Sequence, residues 1–72
     1  MEIDENRLKI AVKHVREGRR IVSRQRELVT RLRKHNHDSR KAESLLTQFE
    51  SSLQIFEEGL QQAITEAKGN FR

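Results

Sequence analysis

The chain reads as an all-α protein: an antiparallel, coiled-coil-like two-helix hairpin that dimerises into a four-helix bundle. Three observations carry that expectation. Apolar residues recur at alternating intervals of three and four over two long stretches, one short polar break separates them, and proline is absent from all 72 residues. A single domain spanning residues 1–72 follows, with a first helix over about 5–35, a turn at 36–38 and a second helix over about 39–68.

The first helix is expected to begin at Asp4, a good N-cap, with Glu5 favouring the positive end of the helix dipole and Ile3 spaced to staple onto Leu8. Its seam is Leu8, Ala11, Val15, Gly18, Val22, Gln25, Val29 and Leu32, with Leu8, Val15, Val22 and Val29 at heptad position a. The break is His35-Asn36-His37-Asp38. Asn36 suits the left-handed residue that ends a helix, and Asp38 can cap the next one, although Arg40 and Lys41 sit unfavourably at its positive end. The second seam runs Ala42, Leu46, Phe49, Leu53, Phe56, Leu60, Ala63 and Ala67, and Gly69-Asn70 forms a plausible C-cap ahead of Phe71-Arg72.

Folding the chain at the break tests this reading, because facing residues of an antiparallel pair have position numbers that add to a constant. The d layers pair Ala11 with Ala63, Gly18 with Phe56, Gln25 with Phe49 and Leu32 with Ala42. Both central phenylalanines thereby meet a small or flexible partner, which keeps layer volume even. The a layers pair Val with Leu three times and Leu8 with Ala67. Gly18 costs about 1 kcal/mol relative to Ala inside a helix, so room for Phe56 gives it a structural reason.

The two edges of the seam differ. At the e edge Arg19 meets Glu57, Arg26 meets Glu50 and Arg33 meets Glu43, followed by Val12 with Ile64. Such exposed pairs specify orientation more than they add stability. At the g edge Leu28 faces Leu45, Ile21 faces Ser52 and His14 faces Gly59, flanked by Ile10 and Ile55 at position c. That edge carries no comparable charges. A strip of this kind left in water marks an association surface, most simply for a second copy about a twofold axis, with Ser52 and Gly59 permitting close helix approach. The alternatives are a widened apolar face on a monomer, or a strip kept for a different protein.

Charge is asymmetric along the chain. Residues 7–37 carry 11 Lys or Arg against two Glu, or +9; residues 38–72 carry four basic and six acidic groups, or −2; residues 1–6 contribute −3, for a total of +4. After the three edge arginines are assigned, Lys9, Lys13, Arg16, Arg20, Arg24, Arg31 and Lys34 remain facing outward. A stripe of this kind is either a solvated helix face or a track for phosphates. Two-helix hairpins of the RNA-binding Rop type make the second geometry feasible by analogy of fold. No aromatic is interleaved among these cations to stack bases.

Chemical constellations are scarce. Absence of Cys removes disulfides, thiolate metal sites and cysteine nucleophiles, and suits a reducing compartment. His35 and His37 beside Asp38 fall short of the three or four converging ligands a zinc site needs. His14 on the apolar edge reads as an interfacial histidine hydrogen-bonded to a neighbour. Glu58 and Glu66 have neither a cleft nor a nearby nucleophile, and no glycine-rich phosphate loop exists. The expectation is a protein that is no enzyme, with no cofactor, no metal and no small-molecule substrate. No apolar run approaches a membrane span and the charged start lacks a signal-peptide core, so a cytoplasmic location without membrane contact is expected.

His14-Val15-Arg16-Glu17-Gly18-Arg19-Arg20-Ile21, Gln25, Leu28 and His37-Asp38-Ser39, followed by Ala42, Leu45-Leu46, Phe49 and Leu53, resemble a group of small, uncharacterised helical-hairpin proteins of rhizobia and other alphaproteobacteria. The resemblance covers about residues 8–60. It implies a bacterial cytosolic hairpin and, since the group has no assigned activity, transfers no functional residue. Asn36 departs from the Gly expected at that turn. The reading as a whole is an interaction module that forms a homodimer through Ile10, His14, Ile21, Leu28, Leu45, Ser52, Ile55 and Gly59. The alternative is a nucleic-acid binder that uses the basic face of the first helix.

Overall fold

Two long helices account for almost all of the described chain: α1 over Glu2–Lys34 and α2 over Arg40–Gly69, packed along their length into a rod of 57 × 14 × 13 Å. The structure is a computed structural model that describes residues 2–69, with side chains from residue 6 onward. α1 starts ahead of the expected N-cap, so Asp4 lies within the helix; the Ile3 staple rests on a side chain ahead of the described ones, and the tail beyond Gly69 falls outside the described residues. The connection occupies 35–39.

The turn is built as the sequence expects. Asn36 is the sole non-glycine residue with positive φ among those described, at 58°. Its N–H donates to the Arg33 carbonyl (3.1 Å), and the His37 N–H donates to the Leu32 carbonyl (2.8 Å). These two bonds form the Schellman arrangement that satisfies the last carbonyls of a helix. Beyond it, Asp38 accepts the Arg40 N–H at 3.0 Å, and Ser39 opens α2 by accepting the Glu43 N–H at 2.8 Å. Arg40, expected to be unfavourable here, folds its guanidinium back onto Asp38 at 2.9 and 3.0 Å. Its charge is thereby answered locally. Because a left-handed Asn is tolerated where a β-branched residue is strained, Asn36→Val is expected to lower stability by about 1–2 kcal/mol. Urea titration of both variants checks this, and Asn36→Gly should stay close to wild type in it.

The core is thin and one-sided. Val15, Val22, Val29 and Ala42 are buried, with Gly18 among them, whereas Leu46, Phe49, Leu53 and Leu60 of α2 are half-buried. Gly18 permits close approach of the helices: a Cβ there would lie 3.0 Å from Leu53 Cδ1 and 3.6 Å from Phe56 Cδ2. The expected partner was Phe56 alone, but Leu53 is the nearer. Phe56 is 38% exposed, at the border of the seam. Gln25, paired in the sequence reading with Phe49, donates from Nε2 to the Ala42 carbonyl at 2.9 Å. Its length lets it satisfy a polar atom on the facing helix at a level nearer the turn.

Candidate functional site

The charged edge forms as the heptad register requires. Arg19 reaches Glu57 at 3.3 Å, Arg26 reaches Glu50 at 3.0 Å and Arg33 reaches Glu43 at 2.9 Å. The rungs step by one heptad along each helix, so all three define the same antiparallel alignment. At the turn end the Ser39 hydroxyl donates to Glu43, and that bond, with the Arg33 guanidinium, holds the Glu43 carboxyl below its ordinary range. Asp38 is lowered likewise by the side chain and the N–H of Arg40, and the pairing raises Arg40 in turn.

The opposite edge is apolar along most of its length but not all. Arg7 and Glu66 meet there at 3.6 Å, which corrects the expectation of an edge without charges and gives Glu66 a partner. Both residues occupy position g. They continue the row that pairs Leu28 with Leu45, Ile21 with Ser52 and His14 with Gly59, so this ion pair closes the strip at the end remote from the turn.

Between that pair and the turn lie the large apolar side chains that the hairpin leaves in water. Ile55 is 65% exposed, Ile10 54%, Ile21 46% and Leu45 43%. Leu28 is half-buried, and Ser52 and Gly59 are exposed. Arg7, Ile10, His14, Ile55, Phe56 and Glu66 together line a shallow open groove of about 370 Å³. His14 sits against Phe56 with ring centroids 5.1 Å apart and ring planes tilted by 39°. A Cβ on Gly59 would meet nothing within 4 Å, so this glycine leaves its space open on the surface of α2. Phe56 therefore belongs to the apolar edge as well as to the seam. Its d position pointed to the core, and the signal for its exposure was its place beside c-position Ile55.

The hairpin also exposes more surface than its size requires. A compact monomer of 8.5 kDa exposes about 4,700 Å², against 6257 Å² here. The difference, about 1,600 Å², reflects the elongated 57 × 14 × 13 Å shape of two helices packed along their length.

The seven surplus cations are all exposed. Lys9, Lys13, Arg16, Arg20 and Arg24 follow one another at steps of four, three, four and four residues, and Arg31 and Lys34 extend the row past Glu27. Among the described residues none of them has a carboxylate within 4.0 Å. Nor do the described residues hold a group of three or more potential metal ligands; His35 and His37 lie 6.3 Å apart, ring to ring, without a third. No helix among the described residues is long and apolar enough to cross a membrane. No family model matches the chain, and no curated protein or solved structure does either.

Proposed function

We propose that the protein is a non-enzymatic helical interaction module that forms a homodimer through its apolar edge, giving a four-helix bundle. The observation that carries this reading is the row of exposed Ile10, Ile21, Leu45 and Ile55 on one flank of a hairpin whose other flank is closed by ion pairs. Burying that row supplies the apolar contact that a four-residue core lacks. A second copy fits the edge because the edge is complementary to itself. α1 offers Ile21 and His14 at the levels where α2 offers Ser52 and Gly59, so large groups of one copy enter the space left by small groups of the other.

Sedimentation equilibrium over a concentration series tests the proposal. The wild-type chain is expected at twice its 8.5 kDa mass, and Ile21→Asp, which sets a carboxylate in the middle of the strip, at the monomer mass. A folded wild-type monomer across the accessible range would overturn it. That result would turn attention to a different protein as the occupant of the edge.

A further inference from the structure

We propose that the row Lys9, Lys13, Arg16, Arg20 and Arg24, continued by Arg31 and Lys34, is a docking site for the phosphate backbone of double-stranded nucleic acid, read without regard to sequence. The inference rests on how the fold divides the arginines of α1 and does not depend on dimer formation. Arg7, Arg19, Arg26 and Arg33 each lie beside a glutamate of α2. The remaining cations occupy positions b, c and f, turned away from the seam, and have no carboxylate within 4.0 Å among the described residues. Even Glu17 and Glu27 on the same helix make no ion pair with them.

Geometry favours a polyanion over a single small anion. Neighbours three or four apart on a helix lie roughly 5–6 Å apart, and Lys9 to Lys34 spans about 37 Å at 1.5 Å per residue. A straight row of that length matches about eleven base pairs of duplex at 3.4 Å each. Exposed ammonium and guanidinium groups can exchange the counterions of a phosphate chain without leaving any buried partner unsatisfied. A duplex fits better than a single strand because the row contains no aromatic ring on which an unpaired base could stack. It fits better than a lipid surface because no tryptophan is present and, of the exposed isoleucines, Ile10 alone shares a face with the row while Ile21 and Ile55 lie toward the seam's apolar edge.

The test is a titration of a 20-base-pair mixed-sequence duplex with the full chain between 50 and 200 mM salt. Affinity is expected to fall by roughly 2,000- to 6,000-fold over that range, as for six or seven phosphate contacts. R16Q/R20Q should reduce the salt slope by about two. R19Q/R26Q removes the same net charge from the ion-paired edge and should leave the slope near wild type. Circular dichroism verifies that both variants remain helical. No binding at 50 mM salt would overturn the proposal, as would equal losses from the two double variants, which would mean that net charge alone attracts the duplex. Tighter binding to a single strand of the same sequence would overturn the choice of duplex. Equal affinity for vesicles of anionic phospholipid, with the same dependence on Arg16 and Arg20, would assign the row to a membrane surface instead.

Discussion

Gly18→Leu is expected to melt about 5–10 °C below the wild-type protein, whereas Gly18→Ala stays near it. The contrast follows from the space at this position. A single methyl at Gly18 meets Leu53 Cδ1 at 3.0 Å, the far end of a flexible side chain, and the gain of about 1 kcal/mol in helix propensity offsets the small displacement. Three more carbons have to enter between Leu53 and Phe56, where the helices approach each other across a buried layer. Overpacking of this kind costs about 1–3 kcal/mol. Phe56 is the group free to move, because it already borders solvent, and its displacement would also disturb the contact with His14. Thermal denaturation should be followed at one protein concentration, since the proposed self-association would make the midpoint concentration-dependent. A Leu variant melting at or above wild type would show that the helices do not approach closely at Gly18.

A spin label on His37→Cys is expected to report its counterpart in the dimer within about 25 Å, with both turns at the same end of the bundle, because neighbouring helix axes of a bundle lie only about 8–10 Å apart. The expectation rests on the proposed homodimer. Two twofold arrangements bring the apolar edges together: one packs α1 on α1, with the turns at opposite ends, and the other packs α1 on the partner's α2, with the turns together. α1 carries 11 basic against five acidic residues, or +6, and α2 carries three against five, or −2. The first arrangement places like charge beside like charge on both sides. The second alternates sign around the bundle, and it also sets Ile21 and His14 against the partner's small groups. With the turn about 17 residues from the middle of the strip, the first arrangement separates the two labels by about 50 Å. The chain has no cysteine of its own, so the label is unique. A distance near 50 Å would reject this orientation and keep the dimer, whereas absence of dipolar coupling would reject the dimer itself.

The row of cations on the outer face of α1 and the apolar edge make different demands on any partner. One is polar, straight and exposed; the other excludes water when covered. On α1 they meet only at position c, where Ile10 shares a face with Arg24 and Arg31. Occupation of the two proposed surfaces should therefore be separable by substitution, with Ile21→Asp expected to change mass and R16Q/R20Q the salt dependence of duplex binding.

Two helices, their antiparallel alignment and the chemistry of the turn were legible in the residues themselves. The valines at position a fall in the buried layer, the three arginine–glutamate rungs form where the constant-sum pairing puts them, and Asn36 adopts the left-handed conformation its side chain tolerates. These features depend on periodicity and on local backbone preference, both of which are written along the chain. Arg7 and Glu66 obey the same pairing, so their contact is legible there too, at the charged end of an edge otherwise dominated by apolar residues.

Tertiary structure alone decided which side chains fill the space between the helices and which are left outside. A heptad position states the direction in which a Cβ leaves the helix; it does not state how far a long side chain reaches or how closely two axes approach at a glycine. Hence Leu53 comes nearest to Gly18, Phe56 turns partly to solvent, and Gln25 finds the Ala42 carbonyl. Direction is a property of one helix and can be read from its residues. Occupancy of a shared space depends on axial offset and rotamer in both helices together, and is settled only when they pack.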